Sequence, residues 1–141
     1  MNVLFDTNVV LDALLDREPW AEPAVGLFDR VEAGGLIGHL GATTITTIHY
    51  IARRNVDALA AGEMMTNLLR LFEVAPVGRA VLEGALALGF VDFEDAVLHE
   101  AGRLAGAGAI VTRDPSGFSK ASLRVYAPDT LLAALETAEQ S

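Results

Sequence analysis

Five acidic side chains stand where this sequence passes from short apolar runs into polar ones. Asp6 ends the run Asn2-Val3-Leu4-Phe5. Asp114 follows Ala109-Ile110-Val111-Thr112, in the run Thr112-Arg113-Asp114, and Asp92, Glu94 and Asp95 open a stretch with helical spacing. Short continuous apolar runs suit strands buried on both faces of a parallel sheet. In an open α/β sheet, ligands bind beyond the carboxyl ends of the strands. Asp6 and Asp114 therefore fall at the mouth of one sheet, and Asp92 and Asp95 share the first turn of a helix between those strands. Carboxylates gathered in one place repel unless something positive sits among them. A hard divalent cation, Mg²⁺ or Mn²⁺, meets that need with oxygen ligands. Held this way, it activates water and stabilises charge on a phosphodiester oxygen. With no cysteine and no histidine pair at ligand spacing, nothing argues for zinc. Each acid also has a plainer role. Asp6 serves a helix cap as readily as it serves chemistry, and Asp92 is a natural N-cap. Asp95 gains from the helix dipole, Glu94 reads as solvated surface, and Asp114 reads as a turn residue before Pro115.

The elements that must position these acids follow from punctuation and periodicity. Asn2 to Phe5 reads as a strand, and Thr7 or Asn8 can cap a helix through Val9, Val10, Leu11, Ala13, Leu14 and Leu15. Pro19 begins a second helix, Trp20 to about Ala33, which Gly34-Gly35 ends. Leu36 to Leu40 is the second strand. Thr43 or Thr44 caps a third helix that closes at Arg53-Arg54, and Asp57 caps a fourth. Leu71 to Ala75 is a short third strand, Gly78 to Leu88 a helix, and Asp92 opens the next. Ala109 to Thr112 is the fourth strand, Arg113 to Ser122 a loop, Arg124 to Tyr126 an edge strand and Pro128 to Glu139 the last helix. Strands alternating with helices indicate one α/β domain with a mainly parallel sheet, its helices on the faces by right-handed crossovers.

The totals narrow the classes. A chain of 141 residues that is 52% hydrophobic is expected to build a real core as one domain. Its lack of cysteine fits a reducing, cytoplasmic setting. No signal peptide is expected, because no basic region leads into a long apolar stretch, and no run reaches about 18 apolar residues, so no membrane span is expected. A net charge of −9 weighs against indiscriminate nucleic-acid binding. It does not weigh against a nuclease, because metal-holding acids lower the total and a local basic patch still steers substrate.

The chain resembles a PIN-domain protein, of the kind that includes the VapC toxins of bacterial and archaeal toxin–antitoxin pairs. The residues that carry the resemblance are Leu4-Phe5-Asp6-Thr7-Asn8-Val9-Val10-Leu11-Asp12, Thr44 to Arg54, Asp92-Phe93-Glu94-Asp95-Ala96 and Ile110-Val111-Thr112-Arg113-Asp114. The resemblance implies a three-layer α/β/α sandwich with a mainly parallel sheet of four to five strands. It implies a ribonuclease whose acidic cluster binds Mg²⁺ or Mn²⁺, restrained by a small antitoxin protein and commonly a homodimer. Carried over, Asp6 is the first metal ligand, Asp95 the central one and Asp114 the distal one. Asp92 matches an additional acid, and Thr7 and Asn8 match polar residues that steady the first aspartate. One departure stands out. The family usually has a glutamate early in the third helix, and Thr47 stands there, where its hydroxyl is at most a substitute.

Among other polar residues, His39 reads as structural, His49 as a partly exposed helical residue or a cleft residue, and His99 as a supporting residue at most. Arg53, Arg54, Arg113, Lys120 and Arg124 are the candidate phosphate contacts, Arg113 being nearest the acids in sequence. Two functions are consistent with these residues: a divalent-metal endoribonuclease, or a PIN-fold module weakened in catalysis that acts by protein or RNA binding. A phosphatase would want an Asp where Asn8 stands. A receiver domain would want an early acidic pair and a lysine after its last strand.

Overall fold

In the computed structural model, which describes residues 1–140, alternation along each strand decides which layer a side chain joins. The chain runs through β1 (Asn2–Phe5), α1 (Thr7–Leu14), α2 (Ala21–Ala33), β2 (Ile37–Gly41), α3 (Ala42–Arg53), α4 (Ala58–Leu71) and β3 (Glu73–Ala75). It continues with α5 (Arg79–Ala87), α6 (Phe93–Leu104), β4 (Ala109–Val111), a single 3₁₀ turn (Pro115–Phe118), β5 (Arg124–Tyr126) and α7 (Pro128–Glu139). The five strands form one sheet in the order β3-β2-β1-β4-β5. Every pairing is parallel, with Val3 opposite Ala109 and Phe5 opposite Val111.

Val3 and Phe5 of β1 and Ala109 and Val111 of β4 face a core shared with α1, α2, α3, α4 and α7, through Val9, Leu27, Ile48, Leu68 and Leu131. Leu4 and Ile110, one residue out of step, face the opposite core with Val81, Ala85, Val97 and Leu98 of α5 and α6. The sheet is therefore covered on both sides, as the continuous apolar runs require. Phe5, Phe28 and Phe72 pack edge to face at the first core's centre, with centroids 5.0 to 6.0 Å apart. No helix among the described residues is long and apolar enough to cross a membrane.

The expectations for the third strand and for the start of α3 need correction. The third strand begins at Glu73, because Leu68 and Leu71 continue the helical spacing and pack into the first core, so α4 runs on to Leu71. The cap of α3 is Gly41, whose backbone is extended, and neither Thr43 nor Thr44 caps it. Both threonines lie inside the first turn, with Thr44 buried.

The strand order matters most for the site. From β1 the chain steps outward to β2 and β3, then returns to the other side of β1 for β4 and β5. The direction of winding reverses between β1 and β4, and a crevice opens beyond their carboxyl ends. Asp6 and Thr112-Arg113-Asp114 are the residues that leave those two strands.

Candidate active site

Asp6 is fixed from three sides. Its amide donates to the Val111 carbonyl at 3.0 Å, extending the β1–β4 pairing by one residue. Its Oδ1 accepts from the Thr7 amide at 2.7 Å, and its Oδ2 from the Thr112 hydroxyl at 2.8 Å. The cap of α1 is thus Asp6 itself and not Thr7 or Asn8. Asp6 thus caps the helix and also lines the crevice. Burial pushes its carboxyl above the ordinary range, the bonds from Thr112 and Thr7 pull it back, and the charges of Asp114 and Asp92 raise it again. The fully buried Thr112 hydroxyl also accepts from the Asp114 amide at 3.0 Å, so one threonine ties both acidic positions together.

The remaining acids arrive from α6 and the 3₁₀ turn. Asp92 caps α6, its Oδ1 accepting from the Asp95 amide at 3.1 Å. Asp114 Oδ1 accepts from the Ser116 hydroxyl at 2.5 Å. Asp95 differs: its carboxylate has no hydrogen-bond donor among the described residues. Burial, followed by the charges of Asp6, Asp92, Glu94 and Asp114, pushes its pKa up to about 6. Gly117 lies against this group. A Cβ there would stand 3.0 Å from Asp95 Oδ2 and 3.3 Å from Asp114 Oδ2, so the two carboxylates converge on a bare Cα. The resulting open cleft, about 350 Å³, is lined by Asp6, Thr7, Asn8, Arg17, Asp92, Glu94, Asp95 and Asp114.

This donor set fits a hard divalent cation. All its ligand atoms are carboxylate or hydroxyl oxygens, and Asp95 carries repulsion that a cation would relieve. Among the described residues no three acidic or imidazole groups stand together as a ready-made cage.

Two expected contributors lie elsewhere. Thr47 donates its hydroxyl to the Thr43 carbonyl at 3.3 Å, one turn back along α3, and does not line the cleft. Thr44 is the helical threonine that reaches toward it, 3.5 Å from the Thr7 hydroxyl. Arg113 is turned into the fold and not toward the acids. Its Nε stands 2.8 Å from Asp12 Oδ2, and its guanidinium lies 4.0 Å from the Trp20 ring centroid. Asn8 lines the cleft but steadies the loop and not Asp6, its Oδ1 accepting from the Arg113 amide at 3.3 Å.

The structure adds Arg17, Asp12 and Thr112. Asp12 is completely buried and also receives Arg17 Nε at 2.9 Å. The signal was present: a carboxylate amid Val9, Val10, Leu11, Ala13 and Leu14 must have a cationic partner, and Arg17 follows one turn later. Lys120 lies near the acids, in a hollow shared with Asp92, Asp95 and Asp114, and donates to the Gly89 carbonyl at 3.0 Å. Arg53 bonds the Val56 carbonyl, and Arg124 approaches the Tyr126 ring. His39 is structural, its Nε2 2.9 Å from Asn2 Oδ1. His99 is fully buried, with Nε2 accepting from the Ser122 amide at 3.1 Å, and belongs to the core. His49 is exposed on α3 and does not line the cleft.

Comparison with known proteins places this fold. FitAcB from Neisseria gonorrhoeae superposes with a TM-score of 0.67 at 20% identity, over 89% of this chain and 97% of that one. VapBC2 from Rickettsia felis, bound to a DNA fragment from its promoter, gives 0.68 at 11% identity, over 90% and 98%. VapC20 from Mycobacterium tuberculosis, a sarcin–ricin loop cleaving toxin, gives 0.63 at 15% identity, over 83% and 95%. No curated protein sequence matches. At these identities the superpositions establish the fold. Family membership rests on the sequence itself: the PIN domain profile matches residues 2–116, spanning every strand and acid of the crevice up to Ser116, and the chain belongs to the PIN-domain family.

Proposed function

We propose that this protein is a divalent-metal-dependent endoribonuclease, the toxin of a toxin–antitoxin pair. The observation that carries the reading is Asp95, a half-buried carboxylate with no hydrogen-bond donor among the described residues, set among four other acids at the switch point of the sheet. Structure alone does not need such a group, and its burial among like charges would work against the metal-free fold. Asp6, Asp95 and Asp114, with Asp92, would hold Mg²⁺ or Mn²⁺. The bound ion would supply an activated water and stabilise negative charge on a phosphodiester. Thr112 and Thr7 orient Asp6 through the bonds described above, and the Asp92 cap sets the first turn from which Asp95 projects. Arg17 at the cleft and Lys120 beside it offer cationic groups to a phosphate, which repulsion would otherwise exclude from so acidic an opening.

The RNA substrate is supported by VapC20's description as a sarcin–ricin loop cleaving toxin. The antitoxin is supported by a toxin–antitoxin complex from Klebsiella pneumoniae of the same fold, with a TM-score of 0.68. Thr47 in place of the usual glutamate favours the second reading, a PIN module with weakened catalysis that works by binding. Calorimetry with Mn²⁺ and a cleavage assay on total RNA separate the two. The unaltered protein should bind the ion and cut, and Asp95→Asn should lose both, with cleavage down at least about a hundredfold. Equal cleavage by the two proteins would refute the nuclease reading, and ion binding absent from both would favour the binding module.

A further inference from the structure

Beyond Arg17 the surface next to the cleft changes character. Arg17 and Arg113 share the two oxygens of the buried Asp12 carboxylate, while their own side chains remain 35% and 25% exposed. The turn after Arg17 closes with the Trp20 amide donating to the Arg17 carbonyl at 3.0 Å, which sets the indole against the Arg113 guanidinium. Trp20 is 42% exposed. It opens onto a cavity of about 470 Å³ lined by Pro19, Trp20, Pro23, Arg113, Pro128 and Asp129, along with Ala127. One buried carboxylate thus joins an acidic cleft to a groove walled by an indole and prolines.

We infer that this groove is a nucleobase site: Trp20, braced by Arg113, stacks an unpaired base of an RNA whose backbone passes Arg17 into the acidic cleft. The inference rests on the ribonuclease reading of that cleft. The chemistry of the walls selects a base over a phosphate. Arg113 Nε is paired with Asp12 and its guanidinium lies over the Trp20 ring, while Asp129 adds a negative charge at the rim, so an anion in the groove meets a partly neutralised cation and a like charge. A flat, uncharged ring finds an indole held in place by a cation on its own face, which lowers the ordering cost of stacking. Arg17 has one guanidinium edge on Asp12 and the Asn8 carbonyl, and its remaining N–H groups suit a phosphate oxygen. Backbone at the cation and base on the aromatic is the usual division in single-strand binding.

Trp20 is the chain's single tryptophan, so its emission reports this groove alone. The probe is a mixed-sequence single-stranded RNA of about twelve nucleotides, added to the protein in chelator so that nothing is cut. A second probe of equal length carries abasic positions. The base-bearing RNA should quench Trp20 emission, and the abasic RNA should bind more weakly and leave emission nearly unchanged. With a labelled RNA followed by anisotropy, Trp20→Ala should raise Kd about tenfold and Trp20→Phe by less than about threefold. RNA that is bound or cut without any change in Trp20 emission, with Kd unaltered in Trp20→Ala, would overturn the base site and leave the ribonuclease reading standing. Emission that responds only to dilution of the protein would assign the groove to a second copy of the chain and overturn it too. Failure to bind RNA in chelator, together with failure to cut it in Mn²⁺, would overturn both.

Discussion

Asp12 and Asp95 are both aspartates on helices beside the same crevice, and the fold treats them in opposite ways. Asp12 has no exposure and lies between two guanidiniums, at 2.9 and 2.8 Å. Among the described residues Asp95 has no cation so placed, and it faces Asp6, Asp92, Glu94 and Asp114. Burying an ion costs several kcal/mol unless it is paired, and the chain meets that cost at Asp12 with its own arginines. It does not do so at Asp95, although Arg17 borders that cleft too. The difference separates a charge that organises the protein from a cluster of acids that, under the proposed reading, is held for a cation. Asp12 joins α1, the turn at Arg17 and the loop after β4.

The comparison breaks most sharply under a single pair of substitutions. Asp12→Asn leaves two arginines without their counter-charge and should cost about 3 kcal/mol, lowering Tm by roughly 10 °C in a chain of this size. Asp95→Asn changes the same atoms but removes repulsion, so the metal-free protein should melt at or above the temperature of the unaltered one. Thermal melts followed by circular dichroism in chelator measure both. A loss of stability in Asp95→Asn equal to that in Asp12→Asn would erase the distinction.

A smaller effect appears with pH. The Asp95 carboxyl titrates at about 6 in the folded protein against an ordinary value of 3.8. Between those values the folded state binds more protons than the unfolded state, so stability without metal falls as pH rises from about 4 to about 6 and levels off above. Asp6, whose carboxyl is also raised, adds to the same slope. Asp95→Asn should flatten the pH dependence of Tm, and Mn²⁺ added near neutral pH should restore stability to the unaltered protein. A flat profile in the unaltered protein would mean that neither burial nor the neighbouring acids raise these carboxyls.

Much of this was legible before the fold was known, for a physical reason. β1, β4 and the acids that end them are local in sequence, and a short apolar run followed by an aspartate carries its own message. The edge strand Arg124–Tyr126 and the helix Pro128–Glu139 were equally plain, because proline and periodicity mark them. What stayed hidden depends on contacts across the chain. Arg113 reads as a phosphate contact because it adjoins Asp114, yet its partner Asp12 lies about a hundred positions away, and no local pattern favours the inward rotamer. Thr112 reads as the end of a strand, and only the pairing of β4 with β1 brings its hydroxyl to Asp6. Thr47 was located by resemblance, and its hydroxyl instead satisfies a carbonyl of its own helix, as threonines without a tertiary partner do.

The finest test of the contrast is steric. Gly117 needs no left-handed backbone, so alanine is compatible with its conformation, and the substitution acts through the added Cβ alone. That Cβ would meet Asp95 Oδ2 at 3.0 Å and Asp114 Oδ2 at 3.3 Å, closer than carbon and oxygen normally approach, so at least one carboxylate must shift by a few tenths of an ångström. Neither group supports the core, and the cleft is open, so the shift should change stability by less than about 1 kcal/mol. Ligand geometry is less forgiving. Moving a carboxylate away from its partners should weaken Mn²⁺ binding about tenfold, in the range seen when the supports of metal ligands are removed. Calorimetry and a melt on Gly117→Ala would give both numbers. A tenfold loss of affinity at unchanged Tm would mark Asp95 and Asp114 as groups positioned for an ion and not for the fold. Unchanged affinity would place the ion's ligands away from Gly117 and leave Asp6 and Asp92 to define the site.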